Sequence, residues 1–118
     1  MKKEFIHYEQ ALALKELGFD EPCFGYYTGD TMHFVLRPLM LRANELESYV
    51  VTAPLYQQAF RWFREKYNVW CWIEKYSDKE NYIYQIPKAN FTKIQGYHNT
   101  YEEAELECLK KLIEICTK

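Results

Sequence analysis

The sequence predicts an α+β fold in a single domain, with the order αββ-αββ-α, a mostly antiparallel sheet and helices packed on it. Three observations predict it. A nearly identical tetrapeptide recurs at three helix starts, two pairs of aromatic and β-branched runs read as hairpins, and the first helix and hairpin slide onto the second.

The tetrapeptides are YEQA (Tyr8 to Ala11), YQQA (Tyr56 to Ala59) and YEEA (Tyr101 to Ala104). In YQQAFRWFREKY, Tyr56, Phe60, Phe63 and Tyr67 fall at i, i+4, i+7 and i+11, one stripe of an amphipathic helix, widened by Leu55, Ala59 and Trp62. The preceding TAP supplies a start, with Thr52 or Ala53 at the cap and Pro54 in the first turn, where a missing N–H costs nothing. Asn68 ends it. In the first copy Glu9 and Glu16 are the clearest exposed positions, and Gly18 stands where a helix takes a C′ glycine. In the third, Thr100 and Glu103 form a capping box, and Tyr101, Ala104, Cys108, Leu112 and Ile115 form the stripe. Glu107 and Lys111 are spaced as an i, i+4 ion pair. Each tetrapeptide is therefore scaffold: tyrosine and alanine pack, and the middle pair faces water.

The hairpins follow the helices. VWCWIEKY (Val69 to Tyr76) and YIYQI (Tyr82 to Ile86) flank the turn letters SDKEN, as CFGYY and MHFVL flank TGD. An offset of 48 positions, from Tyr8 to Tyr56, also superposes Gln10 on Gln58, Ala11 on Ala59, Cys23 on Cys71 and Asp30 on Asp78. The expectation is a duplicated αββ unit: unit one about 4–37, a linker 38–51 with room for a helical turn or an extra strand, unit two 52–88, and a closing helix about 100–116.

Composition excludes several classes. A chain of 118 residues with 48% hydrophobic content supports one sizeable core. A net charge of -2 fits neither a polybasic nucleic-acid binder nor a strongly acidic mimic of DNA. No apolar run reaches the roughly 20 residues of a membrane helix, and none near the start has the length of a signal peptide, so a complete cytoplasmic protein is the expectation. Cys23, Cys71, Cys108 and Cys116 form no C-x-x-C pair, and His7, His33 and His98 are scattered. Reduced structural thiols are expected, with no metal and no cofactor.

Catalytic motifs are missing as well: no G-x-S-x-G, H-E-x-x-H, P-loop or G-x-G-x-x-G occurs, and a non-enzyme is expected. His98 and Asn99, near Gly96, make a small polar site or, more simply, loop and capping chemistry. Asp30 and Asp78 read as turn residues. Arg61 and Arg64 flank Trp62 and read as a solvated helix face, with anion binding as the alternative.

Strand alternation gives the best functional hint. Val69, Cys71 and Ile73 face the helices, and Trp70, Trp72, Glu74 and Tyr76 face away. By correspondence Cys23 points inward and Phe24 and Tyr26 outward. The simpler expectation is that most of these aromatics are buried in the core or under the linker; any left exposed on the sheet would mark a protein interface, either a homodimer or a host-protein contact, or a small-ligand site where Arg61, Arg64 or a lysine takes a nucleotide phosphate.

The second half is topologically similar to a double-stranded-RNA-binding domain, whose last helix opens on a lysine-rich turn; here TYEEAELE is acidic, and nucleic-acid binding is not expected. A broader likeness lies in APLYQQAFRWFREKYNVW, ALKELGFDEPCFGYY and YEEAELECLKKLIEI, which resemble a family of small hypothetical proteins of Bacteroides-type bacteria, their prophages and phages. The resemblance implies a context, that of a phage or mobile-element accessory protein, and no activity or site residue.

Overall fold

The computed structural model describes residues 2–28, 33–41, 50–76, 81–88 and 92–117. In chain order the elements are α1 (Tyr8–Leu17), β1 (Cys23–Thr28), β2 (His33–Leu41), β3 (Val50–Ala53), α2 (Tyr56–Tyr67), β4 (Trp72–Lys75), β5 (Tyr82–Pro87), β6 (Lys93–His98) and α3 (Tyr101–Cys116). The class is α+β, with two three-stranded antiparallel sheets, ordered β2-β1-β3 and β4-β5-β6. The chain divides into two units, Met1–Gln58 and Ala59–Lys118, and the division falls inside α2. The two turn aspartates, Asp30 and Asp78, and most of the linker lie outside the described residues.

Three helix ends sit where their chemistry places them. Gly18 closes α1 at φ 102°, a left-handed conformation that glycine adopts without a Cβ penalty. Asn68 closes α2 at φ 56°, and its N–H donates to the Arg64 carbonyl at 3.1 Å. At α3 the Thr100 hydroxyl accepts from the Glu103 N–H at 3.1 Å and donates to the Glu103 carboxylate at 3.2 Å. The alanines of the three tetrapeptides, Ala11, Ala59 and Ala104, are all fully buried, which is the close approach their size permits. The ion pairs on α3 join Lys110 to Glu107 and Lys111 to Glu114, both at 3.2 Å and at i, i+3, in place of the expected Glu107–Lys111 pair.

Gln58 departs from the water-facing role given to it. Its amide Nε2 donates to the Pro22 carbonyl at 2.9 Å and to Glu21 Oε1 at 3.4 Å, so this half-buried side chain ties the start of α2 to the entry of β1. Glu9, Gln57 and Glu102 do face water.

Two strands enlarge the predicted hairpins. Val50–Ala53 pairs with β1 because a β-branched VVT run favours the ladder, so Thr52 and Ala53 are strand residues and not a helix cap. Pro54, just beyond, accepts a hydrogen bond from the Ile6 N–H at 3.0 Å. β6 pairs with β5 through a segment that reads as a loop in the sequence. Here Gly96 sits mid-strand because the Tyr84 ring lies over it: a Cβ there would stand 2.5 Å from Tyr84 Cε2. That ring is buried and stacks on His98 at 5.8 Å and 10°, so it has little room to yield. The same packing occurs in the first sheet, where a Cβ on Gly25 would stand 2.8 Å from Phe34 Cε1. The third strand joins β1 in one sheet and β5 in the other, opposite members of the two hairpins that the 48-residue offset superposes.

The first unit is packed by rings. Tyr27 meets Tyr8 edge-on at 5.7 Å and Phe34 at 5.3 Å, while its hydroxyl donates to the Ile6 carbonyl at 2.8 Å. In the second unit Phe63, Leu109, Leu112 and Ile86 are the large side chains most fully buried.

Replacing Gly96 by valine forces Tyr84 off its stacked position, and overpacking of this kind costs about 1–3 kcal/mol. Urea unfolding of Gly96→Val against wild type measures it, and an unchanged midpoint would show that Tyr84 moves freely.

Candidate functional site

The two faces of the β4-β5-β6 sheet have different fates. Tyr82 meets Tyr101 of α3 edge-on at 5.8 Å, and Tyr84 feels the charges of Lys111, Glu107 and Glu114 on the same helix. The side of β5 that carries Tyr82 and Tyr84 is therefore turned to α3. Alternation sends Ile83 and Gln85 to the other side. The register brings Trp72 and Glu74 of β4 beside Gln85 and Ile83, and Gln95 and Tyr97 of β6 on their far flank.

On this outward side the central residues, Ile83 and Gln85, are buried, and the flanking aromatics are not. Trp72 is 44% exposed, Tyr97 50% and Tyr76 44%. Tyr76, just past β4, meets Tyr97 edge-on at 5.1 Å and 81°, a geometry that contributes about 0.5–1.5 kcal/mol beyond area burial. Gln85 Nε2 donates to Glu74 Oε1 at 2.8 Å, so the polar pair between the aromatics is satisfied without a ligand. The result is a rim of three half-exposed rings around a closed centre.

Of the sequence-predicted residues, Trp72 and Tyr76 come together here. Tyr97 joins them only because β6 exists. Trp70 precedes β4 and belongs to a corner: Arg64 Cζ lies 5.1 Å from its ring centroid, and its Nε1 donates to Asn68 Oδ1 at 3.3 Å, with the indole still 54% exposed. β4 begins only at Trp72, so Trp70 lies outside the strand alternation. Arg64 is thus a cation over an aromatic face. Arg61 lies exposed on α2.

Phe24 and Tyr26 belong to the sheet of the first unit. Phe24 is exposed, as expected, but Tyr26 is buried. β1 is the central strand of its sheet, and Tyr26 lies in register between Val35 and Thr52, the latter buried as well. A central strand with a second covered side does not show the simple in-out alternation that places Tyr26 outward.

A cavity of about 350 Å³ opens at the start of α3, lined by Lys75, Tyr82, Asn99, Thr100, Tyr101 and Glu102. Asn99 lines it, whereas His98 stacks on Tyr84. Among the described residues no three His, Cys, Asp or Glu side chains are grouped to hold a metal ion, and no helix is long and apolar enough to cross a membrane.

No family model, no curated protein and no solved structure matches this chain.

Burial also sets the titration of several groups. It pushes the Cys23 thiol up to about 12 and raises the Tyr27 and Tyr84 phenols. For each, the unfolded chain loses its proton at a lower pH than the folded one. Stability is then fully present below about pH 9, the unfolded thiol value, and declines as pH rises toward about 12. Urea midpoints taken between pH 7 and pH 11 are expected to fall only above about pH 9, and less steeply in Cys23→Ala; a midpoint flat across that range would contradict the burial argument.

Proposed function

We propose that the outward side of the β4-β5-β6 sheet is a protein-binding surface and that the chain is a non-catalytic interaction module, whose partner is a second copy of itself or a host protein. The observation that supports this is the exposure of Trp72, Tyr76 and Tyr97 on one sheet face. Rings that keep half their surface in water on a rigid strand framework lose little side-chain entropy on docking, and tyrosine and tryptophan dominate interface hot spots. A contact of about 800 Å² per partner suffices for a stable complex. The phage or mobile-element setting rests on the sequence resemblance alone.

Sedimentation velocity over a wide concentration range, with affinity capture from bacterial lysate in parallel, tests the reading. Self-association or a captured protein that weakens at least about tenfold in Trp72→Ser/Tyr97→Ser supports it, since hot-spot truncations cost about 1–2 kcal/mol or more. A wild-type chain that stays monomeric at every concentration and retains nothing overturns it.

A second reading, a small-ligand binder of nucleotide type, is favoured by the cavity at Lys75. Its volume falls within the usual range for ligand sites, and it offers a cation and two aromatic rings. Glu102 opposes an anion there, and with Glu103 gives α3 the acidic first turn that argues against duplex RNA. Thermal unfolding against nucleotides decides this reading: a ligand at 100 times its Kd stabilises by about 2.7 kcal/mol, and no shift with any nucleotide rejects it.

A further inference from the structure

The β4-β5-β6 sheet ends on β6, and the phase of its ladder fixes which backbone groups that edge leaves open. In an antiparallel pair, residues that exchange both hydrogen bonds alternate with residues whose N–H and C=O point the other way. The Lys88 N–H donates to the Thr92 carbonyl at 2.8 Å, at the head of the β5–β6 hairpin. The same phase makes Ile86↔Ile94, Tyr84↔Gly96 and Tyr82↔His98 the bonded pairs. Pro87 falls between them, where β6 asks for no N–H. Lys93, Gln95 and Tyr97 therefore turn their N–H and C=O groups away from β5, and no other strand of the described residues lies beside β6.

This edge is unguarded. Lys93, Gln95 and Tyr97 are exposed, and Gly96, which is all backbone, stays half-exposed although the Tyr84 ring lies against it. The register runs unbroken from Pro87↔Lys93 to Tyr82↔His98, so β6 has neither a bulge nor a proline, two devices that keep sheet edges apart. Its lysine stands at the strand start. The opposite edge, β4, is only four residues long. There the Tyr76 N–H donates to the Asn81 carbonyl at 2.8 Å, a phase that turns out only Ile73 and Lys75.

A second copy of β6 fits this edge. Antiparallel pairing of two identical strands requires that facing residues both have open backbone groups and that their side chains share one side of the sheet. A register centred on Gln95 meets both conditions and engages all three open residues: Gln95 faces the partner's Gln95, and Lys93 faces the partner's Tyr97. Shifted by one residue, an open group meets one already bonded to β5; shifted by two, one of the three residues is left out. The side chains agree with the backbone. Each lysine comes beside a tyrosine ring, amide lies by amide at the centre, and no like charges meet.

We infer that two copies of this chain pair through β6, joining their three-stranded sheets into one continuous sheet. The contact is isologous, with a two-fold axis at Gln95 perpendicular to the sheet. That axis keeps both aromatic rims on one side and both α3 helices on the other. The contact is the edge of the sheet, so the inference does not rest on what docks on the outward face.

Sedimentation velocity combined with amide hydrogen exchange at low and high protein concentration tests it. A dimer is expected, in which the amides of Lys93, Gln95 and Tyr97 exchange at least about tenfold more slowly at high concentration, while those of Ile94, Gly96 and His98 are slow at both. Gln95→Pro removes an open donor at the axis and none from the β5 ladder; its urea midpoint stays near that of wild type, and dimer affinity falls at least about tenfold. Gln95→Lys, an exposed change that leaves the fold alone, sets like charges together and weakens the dimer about threefold, and mixing it with Gln95→Glu restores pairing. Trp72→Ser, on the far strand, leaves the dimer unchanged. A chain that stays monomeric, or a dimer untouched by both folded Gln95→Pro and Gln95→Lys, overturns the pairing. A dimer dissolved by Trp72→Ser overturns it too and supports self-association through the outward face, so the two readings fail separately.

Discussion

Rings laid over glycines hold both sheets in shape. A three-stranded sheet is too narrow to bury large side chains by its own width, and this chain supplies many large ones. Phe34 over Gly25 and Tyr84 over Gly96 solve the problem in the same way, by letting an aromatic side chain lie flat on a neighbouring strand where no Cβ stands. In the second sheet much follows from that one contact. Tyr84 pressed onto Gly96 stacks on His98 and fills the side against α3. The other side is then left to Trp72, Tyr76 and Tyr97, which is why a small sheet has one solid face and one ringed with half-exposed aromatics.

The helices were the most legible part of the sequence, because a cap or a C′ residue is a local event. Thr100 with Glu103, Gly18 and Asn68 need no tertiary information to act, and the apolar stripe of YQQAFRWFREKY has only one way to turn. The strands were legible where they were rich in β-branched and aromatic residues. KIQGYH was not, since a glycine between a glutamine and a tyrosine carries the signature of a loop until the ring that covers it is known. Tyr97, half of the aromatic pair on the outward face, was hidden with it.

Other features resist sequence reasoning for a different reason. Tyr26 alternates outward on paper, and only the strand order, which puts β1 in the middle, explains its burial. Gln58 stands where the third tetrapeptide exposes Glu103, and its hydrogen bonds reach back to Pro22 and Glu21.

The way the first unit closes bears on how it is made. Its edge strand β3 pairs with β1, the Pro54 carbonyl takes the Ile6 N–H, Leu55 bridges to Phe5, and Gln58 ties off Pro22. On a chain leaving the ribosome Tyr27 and Phe34 reach Ile6 and Phe5 first, while the Ile6 N–H and the backbone of Phe5 wait about fifty residues for Pro54 and Leu55. Until then β1 lacks one neighbour, and its Tyr26–Tyr27 pair is open to other strands. Long-range closure of this kind slows folding beyond what the number of residues alone would suggest.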